Sequence, residues 1–445
     1  MKAISLETTI GEIRFNRFHF KLIVFCFFLI MCDGYDLFMF GTVVPSLIKE
    51  WNMNAVQVGA LNSYALIGMM IGALLFGPAA DKFGRKSVIA FCTFLFCLFT
   101  GWQGFAHSPS LFATLRFISG IGLGGLMPNS IALVTEYAPR KWRSTLVAIM
   151  FSGHPFGGVV AALAGMHFVE NFGWRPMFWI GAIPIVVIPF FLLFVPESPH
   201  FYLVRNKKDK IAFLLSRMTG KNLFSETEEY EMNVKKRRGF PVTKLFAENR
   251  AFSTIMFWIS FFLLLITMYG LNTWLPNIMI TAGYAVHSSF IFLLLLNLGA
   301  CVGGIMEGLL ADRFGSKRVL VVLFLLGSLS LILLGLKPER FFLYLLLFIA
   351  GAATTGAQIV ANAFVSQYYP SEMRSTGIGW ALGIGRMGGI LGPTLGGVLM
   401  TQSLSLPLNF LAFAIPGIIA SIAISFVQRR HSDEMRLAAK DASSI

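Results

Sequence analysis

The chain has 445 residues, of which 56% are hydrophobic and only 13% charged, and its mean hydropathy is +0.71. Soluble proteins carry about 25% charged residues, so a water-soluble fold is excluded and an integral membrane protein is expected. The formal net charge of +14 is not the footprint of a nucleic-acid binder, because the basic residues sort by membrane side rather than onto one patch.

Twelve apolar spans are predicted, over 19–43, 57–79, 87–106, 109–136, 145–167, 175–195, 251–277, 288–310, 319–336, 341–368, 375–400 and 406–427. An all-α membrane protein with twelve transmembrane helices follows. The first apolar run is long enough to span, so no cleavable signal peptide is expected. With the N-terminus in the cytoplasm, thirty of the 36 Lys and Arg fall on its side of the membrane. Four (Lys49, Arg175, Lys337 and Arg340) fall on the other side, and Arg116 and Arg386 lie inside spans. That asymmetry places both termini in the cytoplasm. The expected parts are a tail over 1–18, six spans over 19–195, a connector over 196–250, six spans over 251–427 and a tail over 428–445.

The first span carries two acids, Asp33 and Asp36, in Asp33-Gly-Tyr-Asp36. A 25-residue helix is roughly 37 Å long, and Asp33 falls near its middle. Acids at i and i+3 share one face. A carboxylate facing lipid costs at least ~2.5–3.5 kcal/mol, so the pair points to a polar interior, a charged partner or a bound proton. A network that only fixes helix packing is the bland alternative. Burial and mutual repulsion predict that at least one of the two holds a proton, and the pair titrates as a unit. Asp36 is favoured as the carrier.

After the second span comes Gly77-Pro-Ala-Ala-Asp81-Lys82-Phe83-Gly84-Arg85-Lys86. Asp81 is expected to face the start of span eleven and to act as a gate, with Arg85 and Glu136 extending its network. Arg116 in span four is a buried cation, placed to tune an acid of span one. His154, in span five, reads as a packed neutral imidazole. The connector is basic, and its Lys235-Lys236-Arg237-Arg238 run could rest on anionic lipid. The five Cys all lie in apolar runs without a CxxC pair, so neither a disulfide framework nor a zinc site is suggested.

The second half repeats the first. Gly308-Leu-Leu-Ala-Asp312-Arg313-Phe314-Gly315 stands 231 residues after the first loop, and the same offset pairs Pro45 with Pro276, Gly72 with Gly303 and Tyr137 with Tyr368. A gapless internal repeat of six spans predicts two pseudo-symmetric six-helix halves. Asp312 and Arg313 are the gate residues of this copy. Glu307 reads as gate or packing. Arg386 lies halfway along span eleven among glycines, where its planar fork suits a carboxylate. It is either a substrate anchor or a salt bridge to Asp33 or Asp36, and the roles could alternate. Tyr35, Tyr64, Phe151, Trp274 and Trp380 could stack on an aromatic ring, while Asn62, Gln358 and Asn362 could hydrogen-bond ring hydroxyls.

The two Gly-x-x-x-Asp-(Arg/Lys)-x-Gly loops resemble the signature of the major facilitator superfamily. Pro196-Glu197-Ser198-Pro199 looks like a signature shared by sugar porters and organic-ion carriers, although His200 stands where Arg is usual. Asp33-Gly-Tyr-Asp36 is similar to the motif of the aromatic acid:proton symporter family. The resemblance implies an inner-membrane importer of benzoate-like or hydroxybenzoate-like anions, driven by the proton gradient without a cofactor and working as a monomer. It points to Asp33, Asp36 and Arg116 in proton coupling; the placement of the residues themselves suggests Arg386, Tyr35, Asp36, Tyr64, Trp274, Gln358, Asn362 and Trp380 around the substrate. The rival readings are an exporter or a carrier of another organic ion, such as a nicotinate-like acid, a sugar or a drug, and a sensor that carries nothing. A membrane enzyme would need a nucleophile–base pair or a metal cluster, and ATP-driven pumping would need a Gly-x-x-x-x-Gly-Lys-(Ser/Thr) loop. Neither is visible in the sequence.

Overall fold

In the computed structural model, the described residues are 4–219, 230–231, 242–370, 373–402 and 404–428. The basic run at 235–238 and the tail beyond 428 lie outside them. Without water, a spanning backbone satisfies its polar groups within a helix, and the apolar spans comply. They form α1 (Arg17–Trp51), α2 (Ala55–Phe83), α3 (Arg85–Gln103), α4 (Pro109–Tyr137), α5 (Arg143–Phe172) and α6 (Arg175–Phe194). The second set is α7 (Ala251–Thr281), α8 (Val286–Phe314), α9 (Ser316–Leu334), α10 (Arg340–Tyr368), α11 (Arg374–Thr401) and α12 (Leu406–Phe426). Eleven of these are long and apolar enough to cross a membrane. In α11 the glycines and Arg386 dilute the apolar character.

The helix bounds repeat with the sequence. Adding 231 to the ends of α2, α3 and α4 gives the ends of α8, α9 and α10 to the residue. The loop glycines explain their own presence. Gly84 and Gly315 take φ of 95° and 86°, a left-handed backbone that other residues enter at a cost. Each is the single residue between two consecutive helices, so the chain reverses there without a linker. One difference breaks the symmetry. Residues Ala352–Gly356 of α10 form a π-helical segment, whereas α4 is α-helical throughout.

By contacts the chain forms two compact units. The first comprises Met1–Asp36, Ile67–Gly157 and Arg175–Lys236. In it α3 packs on α4 and α6. The connector helix Lys208–Thr219 buries Ile211, Leu214, Leu215 and Met218, and Asn16 donates to the carbonyl of Met218 at 2.7 Å. Ile4–Ser5 and Tyr230–Glu231 add a two-residue parallel pairing. The second unit comprises Leu37–Leu66, Gly158–Trp174 and Arg237–Ile445. There α7 packs on α11 and α12, α9 on α12, and α8 on α10.

Candidate functional site

The acids of α1 are buried in the first unit, each at 0% exposure. Asp36 is the more tightly held. Its Oδ2 accepts from Arg116 at 2.9 Å, its Oδ1 accepts from the Thr100 hydroxyl at 2.8 Å, and its backbone carbonyl accepts from the second guanidinium nitrogen at 3.0 Å. Thus α1, α3 and α4 converge on one carboxyl group. Asp33 lies one turn earlier, with Oδ2 3.9 Å from Nε2 of His154 in α5. Gly34 faces the backbone of His154, so any side chain there would meet that carbonyl. The close approach of α1 and α5 is what brings His154 to the acid.

This arrangement has a definite chemistry. Arg116 is fully buried and stays protonated, so its charge needs the Asp36 anion. Leaving either partner alone in such a place costs about 3–5 kcal/mol. The charge of each partner is therefore compensated by the other being ionised. Sequence reasoning placed Arg116 to tune an acid of the first span without saying which; the structure pairs it with Asp36. It missed Thr100, an unremarkable hydroxyl in an apolar span, and the nearness of His154 to Asp33.

The loop residues build a second cluster. Arg85 pairs with Glu136 at 2.8 Å, and Glu136 accepts from the Ser198 hydroxyl. Glu197 accepts from the backbone N–H of Lys86 at 2.9 Å and of Ser87 at 3.4 Å. Tyr137 donates to the Glu197 carbonyl at 2.6 Å. The Pro196-Glu197-Ser198-Pro199 signature thus caps the start of α3 from a distant part of the chain. Asp81, Asp312 and Arg313 are exposed at the ends of α2 and α8, with the Arg313 guanidinium over the Phe314 ring.

In the second unit, the end of α1 and the start of α2 pack on α7 and α11. Asn62 donates to the Thr273 hydroxyl at 2.9 Å, and Ser63 bonds the carbonyl of Ile390 and the hydroxyl of Thr394. Gly41 lies against the Asn272 carbonyl, and Gly59 against that of Pro393. These contacts join α1 and α2 to α7 and α11 near the α1–α2 turn. Arg386 is half-buried in α11, flanked by Gly385 against Phe261 and Gly388 against Phe262.

The candidate aromatics divide by what their polar ends do. Trp274 is buried and donates to the carbonyl of Pro393 at 2.7 Å, and Tyr35 donates to that of Met177 at 2.9 Å. Both tips are occupied by backbone. Tyr64 and Trp380 are 44% and 42% exposed, and Trp380 stacks on Trp258 with centroids 5.7 Å apart. Gln358 and Asn362 are half-buried on α10.

The repeat, the paired loop glycines and the buried pair on the first span specify one architecture. The sequence model of the Major Facilitator Superfamily matches residues 26–308 and 294–443. This chain belongs to that superfamily. A benzoate transport protein of Acinetobacter baylyi is 43% identical to it over 437 residues, covering 96% of this chain and 94% of that protein. A gentisate transporter of Corynebacterium glutamicum is 35% identical, covering 90% and 86%. Among solved structures, the partially occluded inward-open xylose transporter XylE from E. coli matches with a TM-score of 0.73, at 18% identity. It covers 92% of this chain and 100% of its own. The superfamily member described here is therefore a multi-pass membrane transporter, not an enzyme, and its family is that of the aromatic-acid transporters.

Proposed function

We propose that this transporter is a symporter that imports a small aromatic carboxylate with protons across a bacterial inner membrane, both termini lying in the cytoplasm. The observation that carries the coupling is the fully buried pair of Asp36 and Arg116. Protonation of Asp36 removes the negative partner, while the carbonyl of the same residue keeps hold of the guanidinium. Loss of the proton restores the pair. The substrate reading rests on the relatives, named for benzoate and gentisate transport, and on Arg386, whose fork fits a carboxylate in two parallel hydrogen bonds.

The orientation rests on the charge asymmetry, thirty basic residues against four. With that orientation, the Asn62–Thr273 and Ser63–Thr394 contacts lie towards the outer side and are the proposed outer gate. Counterflow in proteoliposomes against benzoate, hydroxybenzoates, nicotinate and a sugar tests the substrate class. An imposed pH gradient tests the coupling. Aromatic acids are expected to exchange and to accumulate only while the gradient lasts. Exchange of the sugar alone, or accumulation untouched by an uncoupler, overturns the reading.

A further inference from the structure

Glu307 sits in α8, five residues before Asp312, and is buried to 3% exposure. Neither of its carboxyl oxygens has a hydrogen-bond partner among the described residues. The carboxyl occupies a slot made by two missing side chains. A methyl group on Gly356 of α10 would come within 2.9 Å of Oε2, and one on Gly303 within 3.0 Å of Oε1. Gly356 is the last residue of the π-helical segment.

The repeat supplies a control inside the same molecule. Subtracting 231 turns Glu307 into Phe76 and Gly356 into Gly125. In the first half Phe76 fills the corresponding slot, its side chain against Gly125. The slot is therefore one that accepts a phenyl ring, and in the second half it holds a carboxyl group. The π-segment is confined to the half with the carboxyl, and such segments concentrate at functional positions.

The titratable groups on the helices packed around Glu307 are engaged or turned elsewhere. On α8 itself, Asp312, Arg313 and His287 are exposed, and Cys301 is half-exposed. On α9, Lys317 donates to the carbonyl of Val427 and Arg318 is exposed. On α10, Arg340 bonds Tyr344 near the opposite end and Tyr368 packs on Phe257. On α7 the one such group is Tyr269, which packs at Gly389. No cation from these elements compensates an anion at Glu307. A carboxyl group buried in such surroundings takes a proton rather than stay ionised.

We propose that Glu307 is a proton-binding site of the second half, whose neutral carboxyl fills the slot at Gly356 and holds α8 against the π-segment of α10. It is separate from the acids of α1 and does not depend on their role. Ionisation would put an uncompensated charge at the α8–α10 contact and loosen it. This makes the packing of those helices a function of pH.

The test is infrared spectroscopy of the purified protein in lipid nanodiscs, wild type against Glu307→Gln, the uncharged isostere. A protonated-carboxyl C=O stretch is expected at neutral pH in wild type and lost in the variant. Because the folded protein would hold a proton that the unfolded chain releases, wild-type thermal stability should also fall with rising pH relative to the variant. Phenylalanine at this position, Glu307→Phe, copies the first half and should fold. Identical spectra overturn the proposal. So does a Glu307→Gln protein that fails to fold, since a site neutral in the native state accepts a neutral isostere. Loss of the band on adding sodium at fixed pH would make Glu307 a metal-cation ligand and overturn it as well.

Discussion

Arg116 holds Asp36 twice, through the carboxylate at 2.9 Å and through the backbone carbonyl at 3.0 Å. Only the first contact depends on charge. Protonating Asp36 therefore weakens the pair without releasing α4 from α1, and Thr100 keeps a hydroxyl in place for whichever state the carboxyl adopts. In the proposed symporter, such a pair would change electrostatics with little loss of packing.

The first expectation concerns coupling. In Asp36→Asn the protonated state is mimicked permanently, so accumulation driven by a pH gradient should be abolished. Exchange of substrate for substrate needs no net proton release and should persist. Vesicle uptake with and without a gradient separates the two. Robust pH-driven accumulation in the Asp33→Asn, Asp36→Asn double variant would remove both acids from the mechanism.

Arg116 makes a stability prediction of its own. Arg116→Ala leaves the Asp36 carboxylate buried without its cation, which costs about 3–5 kcal/mol for a pair of this kind. A clearly lowered melting temperature in detergent is expected. An unchanged melting temperature argues that Arg116 only fills space.

Much of this fold is legible in the residues. Hydropathy yields the spans, and the 231-residue offset predicts the shared ends of α2 with α8, α3 with α9 and α4 with α10. Which acid meets Arg116 is not, because the two residues stand 80 positions apart and only the crossing of α1 and α4 decides it. Asp33 and Asp36 look equivalent on a helix wheel, yet one faces a guanidinium and the other an imidazole. Glu197 is visible as part of a signature, but its capping of α3 is a contact made across 111 residues. The π-segment leaves no readable mark, since Ala352–Gly356 has the composition of an ordinary small-residue crossing.

That capping contact is testable. Glu197 accepts two backbone N–H groups at the start of α3, where an anion also meets the positive end of the helix dipole. Glu197→Ala should lower stability by about 1–2 kcal/mol, read as a lower melting temperature, while leaving substrate affinity near wild type. An unchanged melting temperature would make the contact incidental.

Substrate affinity is expected to depend on Arg386. A lysine keeps the charge but not the planar fork, so Arg386→Lys should lose most binding and Arg386→Ala nearly all of it. Binding of the aromatic acid to purified protein, measured by calorimetry, decides. Near-normal affinity in Arg386→Ala would assign this residue to structure instead.

The last prediction addresses the outer gate. Gly41 of α1 lies against the backbone carbonyl of Asn272 in α7, and the Asn62–Thr273 bond joins α2 to α7 beside it. A carbonyl cannot step aside as a side chain can, so a branched residue at 41 must push the helices apart. Overpacking of this kind costs about 1–3 kcal/mol, and all of it falls on the state in which α1 and α7 touch. Gly41→Val should therefore shift the population towards the outward-open state without unfolding either helix. The reporter is a cysteine at Thr273, introduced after replacing the five native cysteines. With Gly41 in place it should react slowly with a membrane-impermeant thiol reagent added outside, and several-fold faster in Gly41→Val. Saturating substrate, which favours closure around itself, should pull the rate back down. Equal labelling rates in both backgrounds would mean that the Gly41–Asn272 approach does not set the gate.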